Sequence, residues 1–389
     1  MTDLQIASTT GILVIPTIVW TLTFIKPIRL SRVTLCILTA LSFALTLPGL
    51  FLPGHQSARF LLPLVPLLLL AIVTVSPRSA LTSIQIRNLF SAAVVTIAAV
   101  GSRDPVLLAA FSTLSALPIF LALREGDSHD RSACHVFVWY ATASALAFLT
   151  GIILIQFSEI GTHWSSTFIV FSVMIRQGIF PFHAWIPATF ERAPIGLSLF
   201  YTVPQLGTLM LLSGDLHLPT SVQDALVVAS LATALIGGAQ AMLQSRILRA
   251  LGYLVMNLSG VILVGVAGGE EAWRGTLMLW VFYGMAISGL ALTLWVIESR
   301  KGTLSLDPFQ GLYDRMSYFA VFFMLFGLGC SGFPGTPGYI GLELLLKDLV
   351  AHSPKIALTL LVAVALNGIA IVRAYFAIFC ADSQCNDEP

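Results

Sequence analysis

The sequence predicts an all-α polytopic membrane protein of about 14 transmembrane helices. Three observations carry this. The chain of 389 residues is 57% hydrophobic and 10% charged, whereas a soluble domain carries roughly 25% charged residues. No soluble core hides so much apolar surface, so the solvent is lipid. Apolar runs long enough to cross, or nearly cross, about 30 Å of hydrocarbon recur from end to end. The charges between them alternate: 14 of the 20 Lys and Arg fall in one set of loops and 3 (Arg59, Arg103, Arg274) in the other. The positive-inside rule puts the first set in the cytoplasm or its organellar equivalent, and both termini on the opposite face.

The runs lie near 9–25, 33–52, 60–76, 88–102, 105–123, 136–157, 166–180, 194–212, 222–243, 247–268, 275–297, 316–333, 337–351 and 356–380, the thirteenth being the weakest. Pro, Gly and charge clusters separate them. The chain reads as one transmembrane domain, 1–389, without a soluble domain or a long linker. The start, MTDLQIASTT, lacks the basic stretch of a signal peptide, so the first run is expected to be a retained span.

Several function classes drop out. Net charge is +1, and no basic stripe suits nucleic acid. Cys36, Cys134, Cys330, Cys380 and Cys385 form no CxxC pair, and the seven histidines are dispersed. No metal site is expected, and no nucleotide loop, flavin or haem motif is present, so no cofactor is expected. Any redox chemistry belongs to partners, and the chain is expected to be a non-catalytic subunit.

Charge within a span costs about 2.5–3.5 kcal/mol on insertion scales and should face protein or a watery cavity. Arg176, Lys347 and Arg373 qualify, as do Glu343 and Asp348 on the same segment as Lys347. Arg249, near a span start, reads as a pathway member or as a snorkelling side chain. Lys347 carries the same two readings, and Arg373 is expected to be structural, paired with a neighbour or a lipid headgroup. In "GCSGFPGTPGYIGLELLLKDL" (329–349), Gly332, Pro334, Gly335, Pro337, Gly338 and Gly341 cannot share an intact helix. The stretch is a helix break lining a cavity, as ion transporters use, or an ordinary loop between spans. Pro181, five residues after Arg176, poses the same choice.

These stretches carry a resemblance. "RQGIFPFHAWIP", followed by "ERAPIGLSLFYTVPQLG", resembles the signature of the antiporter-like membrane subunits of respiratory complex I. Those subunits are relatives of multisubunit cation/proton antiporters and of membrane-bound hydrogenase subunits. Pro181, Phe182, His183, Trp185 and Pro187 match its PFHxWxP element, and Ala193, Pro194 and Ser198 the helix that follows. "FPGTPGYIGLELLL" resembles the family's twelfth-span break, "RALGYLVMNLSG" its tenth span and "FSTLSALPIFLAL" its fifth. The resemblance implies two inverted five-helix repeats with broken helices. These map to 103–212 and 222–351, after N-terminal helices at 1–102 and before a C-terminal helix and tail at 356–389.

It also implies a proton path, from which this chain departs. Thr113 stands where the family has a glutamate, Arg176 at its seventh-span lysine, and Gln205 (or Leu206) at its eighth-span lysine or histidine. Leu342 holds the twelfth-span carboxylate position, with Glu343 beside it, and His183, matching the family's histidine, is expected to be structural. A relay needs groups that load and release protons near working pH. Arginine, with a pKa of about 12.5–13.8, does not, and Thr and Gln do not titrate. The pathway candidates are therefore Arg176, His183, Arg249, Glu343, Lys347 and Asp348. The expected function is an antiporter-like, proton-translocating subunit of a larger energy-coupling complex of quinone oxidoreductase, hydrogenase or inorganic-carbon-uptake type. The alternatives are a degenerate scaffold subunit that no longer pumps and a free-standing ion or proton transporter. Its partners would be other membrane subunits, protons or a monovalent cation, and lipids. A bacterial plasma membrane is favoured over the mitochondrial inner membrane.

Overall fold

The computed structural model describes residues 16–18, 21, 31–47, 56–77, 82–102, 104–125, 128–157, 161–212, 218–268, 270–307 and 309–380. Most of the expected first span at 9–25, both chain ends and Cys385 lie outside the described residues. Among the described residues all regular structure is helical, apart from one isolated bridge between Arg246 and Ser305. In chain order the helices are α1 (Arg32–Thr46), α2 (Gln56–Val75), α3 (Ser83–Gly101), α4 (Pro105–Leu114), α5 (Leu117–Arg124), α6 (Ser128–Phe157), α7 (Gly161–Arg176) and α8 (Trp185–Arg192). Then follow α9 (Ile195–Thr202), α10 (Leu206–Leu212), α11 (Thr220–Leu243), α12 (Ile247–Val266), α13 (Glu270–Lys301), α14 (Tyr313–Cys330), α15 (Pro337–His352) and α16 (Pro354–Phe379). Every expected run from 33–52 onward contains helix. Among the described residues eight helical segments, α4 with α5 and α9 with α10 each counted as one, are long and apolar enough to cross a membrane, and the chain is a multi-pass membrane protein.

Local signals explain the ends. Thr82 and Gln85 form a capping box at the start of α3. Asp104 caps α4, its Oδ1 accepting from the Val106 N–H at 2.7 Å, with Pro105 at the first helical position.

The chain sorts into two compact units, one of residues 1–178 and 192–225, the other of residues 179–191 and 226–389. In the first unit α6 packs along α7. Reciprocal serine bonds fasten the pair: Ser144 Oγ donates to the Ser172 carbonyl at 3.0 Å and Ser172 Oγ to the Ser144 carbonyl at 2.7 Å. Such polar contacts hold helices where lipid gives no hydrophobic drive to association. α3 carries α4 and α9, and α10 lies on α7. In the second unit α13 packs against α14 and α15. The α13–α15 crossing is glycine on glycine. A Cβ on Gly275 would sit 2.6 Å from the Gly341 carbonyl oxygen, and one on Gly341 would sit 2.8 Å from that of Gly275. Asn257 on α12 donates to the Ala234 carbonyl on α11 at 2.6 Å and to the Ala363 carbonyl on α16 at 3.1 Å.

Two expected spans are interrupted, and a third break falls between two others. The run at 105–123 breaks at Ser115–Ala116, between α4 and α5. Pro118 follows, and its ring would clash with the carbonyl of Leu114, the last residue of α4. The run at 194–212 breaks at Val203–Gln205, where Pro204 interrupts the ladder and Gln205 takes a left-handed φ of 44°. The third break, at 331–336, separates α14 from α15, with Gly332 at φ 62° and Gly335 at φ 97°. Pro334 and Gly335 lie within it. Pro337 and Gly338 open α15, Pro337 at the first position, where a missing N–H costs nothing.

Candidate functional site

Among its described residues the first unit buries one charge. Arg176, the last residue of α7, is 6% exposed and is the one charged residue among the described buried ones. Its Nη1 donates to the Ser112 carbonyl at 3.1 Å and its Nη2 to Ser115 Oγ at 2.7 Å. Ser115 Oγ in turn donates to the Ser112 carbonyl at 2.6 Å. The guanidinium carbon lies 3.6 Å from the centre of the Tyr201 ring on α9. The α4–α5 break thus provides the acceptors: with no helix continuing through Ser115, its hydroxyl and the Ser112 carbonyl turn to the arginine. Among the described residues no carboxylate pairs with Arg176.

A second buried polar chain lies next to it. Gln177 Nε2 donates to Thr208 Oγ1 at 3.0 Å, and Thr208 Oγ1 donates to Gln205 Oε1 at 3.2 Å. Close approach of α10 to α7 sets this up, since a Cβ on Gly207 would meet Gln177 Cγ at 3.1 Å and Arg176 Cγ at 3.2 Å. Gln205 belongs here because of the α9–α10 break. Thr113, in contrast, is exposed and bonds the Ala109 carbonyl of its own helix at 2.9 Å. The structure therefore brings Arg176 and Gln205 into one polar region and leaves Thr113 out of it. Ser112, Ser115, Tyr201 and Thr208 complete that region. Their signal in the sequence was hydroxyls beside Pro118 and Pro204 inside apolar runs. Chemically, the arrangement holds a permanent positive charge among groups that do not exchange protons near neutral pH.

Pro181 lies in the turn after α7, where the Phe180–Pro181 peptide is cis. This turn belongs to the second unit, where the Phe180 N–H donates to Thr233 Oγ1 at 2.8 Å. The His183 ring stacks on Phe180 with centroids 5.7 Å apart. Burial pushes His183 below the usual histidine range, the Pro181 carbonyl opposing in part. Arg249 and Arg246 share Glu191, at 3.5 Å and 3.2 Å. Arg249 is thus a half-exposed ion-pair member at the start of α12. Arg373 bonds the carbonyls of Met242 and Gln244 and lies 3.7 Å from Asp307, a structural tie within the second unit.

Glu343 and Lys347, one turn apart on α15, are exposed and line an open groove of about 620 Å³. Val364, Ala365 and Gly368 of α16 form its opposite wall. The groove begins at Ser331 and Gly332 of the break. Beside the break, the Tyr283 hydroxyl and Asn367 Oδ1 are buried without a hydrogen-bond partner among the described residues. Asp348 lies one residue on, 3.7 Å from His352 Nδ1. Sequence alone does not single out Tyr283, Asn257 or Asn367, although polar side chains in apolar runs are costly without a role.

Comparison with known proteins agrees with this architecture. The NADH-quinone oxidoreductase subunit N of Alkalilimnicola ehrlichii is 29% identical over 195 residues, 47% of this chain and 39% of that protein. The chain thus matches well under two thirds of that relative's length. Among solved structures, a chain of respiratory complex I from Thermus thermophilus superposes with a TM-score of 0.85 at 20% identity, covering 96% of this chain and 89% of that one. A chain of the membrane-bound sulfane sulfur reductase, an archaeal respiratory membrane complex, superposes with a TM-score of 0.86 at 14% identity, covering 97% and 88%. At these identities the superpositions show a shared fold. The model of the transmembrane family of NADH:quinone oxidoreductases and Mrp antiporters matches residues 111–367, from the α4–α5 break that receives Arg176 to Asn367 beside the α14–α15 break, and the chain belongs to that family.

Proposed function

We propose that this chain is an antiporter-like membrane subunit of a larger energy-coupling complex whose first half holds a fixed positive charge where relatives would relay protons. The observation that carries this is Arg176: buried, bonded to Ser112, Ser115 and Tyr201, and without a carboxylate partner among the described residues. A relay alternates between charged and neutral forms, and an arginine among hydroxyls and amides has no neutral form to visit near pH 7. The complex would be of quinone oxidoreductase, hydrogenase or inorganic-carbon-uptake type, in a bacterial plasma membrane. Fourteen crossings in two inverted repeats and both termini on the non-cytoplasmic face belong to the same proposal. The test is purification in mild detergent from cells that carry its native partners. Stoichiometric recovery of other membrane subunits is expected. A monodisperse, ion-transporting monomer would overturn the assembly reading.

A second reading concerns the other half. Glu343 and Lys347 open onto the groove beside the 331–336 break, and two buried polar atoms there lack protein partners among the described residues. Buried groups of this kind are places where water enters, and broken spans are where transporters admit it. On this reading Glu343, with Lys347 and Asp348, carries protons through the second half. Proton flux in liposomes containing the assembled complex decides it. Loss of coupled flux in Glu343→Gln supports conduction, and unchanged flux leaves a scaffold.

A further inference from the structure

We infer that the cleft between α5 and α6 binds one anionic phospholipid. An open cavity of about 450 Å³ lies there, lined by Phe120 and Arg124 of α5 and by Arg131, His135, Val138 and Trp139 of α6. Its polarity is layered. On α6, Arg131, His135 and Trp139 follow at four-residue steps and so share one face. On α5, Phe120 precedes Arg124 by the same step. The two helices pack together, and only three residues separate their ends in sequence. Arg124 and Arg131 lie toward the facing ends of the two helices, with Phe120 about 6 Å and Trp139 about 12 Å farther along the axes.

That layering matches a phospholipid. A phosphate would lie between Arg124, Arg131 and the His135 ring, and an acyl chain along Phe120, Val138 and Trp139. Both arginines are exposed, and among the described residues neither makes an ion pair, with neighbouring Glu125 or otherwise. Trp139 is 75% exposed, so this chain does not cover it. The location suits the ligand as well, since Arg124 and Arg131 belong to the loop set rich in basic residues, the side the positive-inside rule assigns to the cytoplasm. Arginine near an anionic membrane surface favours the anionic lipid about five-fold per side chain, so the pair favours it about thirty-fold.

The test is native mass spectrometry of the full chain in detergent, titrated with dioleoylphosphatidylglycerol or with dioleoylphosphatidylcholine. One retained phosphatidylglycerol is expected, held about thirty-fold more tightly than the zwitterionic lipid. Arg124→Gln and Arg131→Gln should each lower that preference about five-fold, and the double variant should abolish it. The single variants serve if the double variant does not fold. Arg315→Gln, in a different loop, should leave retention unchanged. A phosphatidylglycerol with brominated acyl chains should quench less fluorescence in Trp139→Phe than in the unaltered chain. Equal retention of the two lipids, or an unchanged preference in the single variants, would overturn the site. Displacement of the lipid by excess inorganic phosphate would show a free-anion site, and cross-linking of Trp139 to another subunit in the assembled complex would show a protein occupant. Either result would overturn the lipid assignment.

Discussion

Replacing Arg176 by methionine should leave the protein nearly as stable as before, and replacing it by alanine should not. In the native structure the guanidinium donates two hydrogen bonds, at 3.1 Å and 2.7 Å, and lies 3.6 Å from the Tyr201 ring. Hydrogen bonds from a charged group contribute about 1.5–3 kcal/mol each, and a desolvated cation–ring contact contributes about 2 kcal/mol. Methionine forfeits all of this, about 5–8 kcal/mol in gross terms. It also removes the cost of burying a cation, which is several kcal/mol per ion and is not offset here by a carboxylate. The acceptors are not stranded, because Ser115 Oγ already donates to the Ser112 carbonyl at 2.6 Å. The terms are of equal size, so Arg176→Met should lie within about 2 kcal/mol of the original. Alanine loses the same polar terms and leaves a cavity, adding a further cost of about 2–5 kcal/mol. Unfolding of the purified chain in dodecylmaltoside, followed by circular dichroism against added denaturing detergent, measures both. If the methionine variant were destabilised as much as the alanine variant, the charge itself would be holding the site. The account of an unpaired, fixed cation would then be wrong.

Gly341→Ala should destabilise the α13–α15 crossing by about 1–3 kcal/mol, since its Cβ would stand 2.8 Å from backbone atoms of both Gly275 and Leu279; the same detergent unfolding reads it. Asn257→Leu removes the two bonds that tie α12 to α11 and α16 and should cost about 1–2 kcal/mol for each, with a fall in thermal midpoint as readout. His183 is held below its unfolded pKa of about 6.5, so the unfolded chain binds the extra proton first. Its contribution to stability is therefore full above about pH 6.5 and declines as pH falls toward the folded pKa. His183→Gln should flatten that acid limb in melting curves taken at stepped pH, and an unchanged limb would remove His183 as its source.

How far the sequence could lead differs between fold and site. Helices were legible because apolar runs, Pro at first positions and caps such as Asp104 act locally. The break at 331–336 was legible because Gly and Pro crowd it. The breaks at 115–116 and 203–205 were not read, because each rests on a single proline in an otherwise continuous apolar run, and a single proline can also kink a helix without ending it. Arg176 announced itself by its charge. Its partners did not, because Ser112 and Ser115 become acceptors only once α4 has ended beside them. Thr113 sits between those two serines in sequence, yet faces outward. Which of three adjacent positions meets a distant arginine is set by helix rotation and packing, which spacing alone does not specify.

The central claim is that the first half holds a charge and does not pass protons through Arg176. The most direct measurement is the ratio of protons translocated to electrons or ions turned over by the assembled complex in liposomes, with Arg176 and with Arg176→Met. The account predicts the same ratio for both, in complexes of equal subunit content. A fall in the ratio for Arg176→Met, with the complex intact, would contradict it.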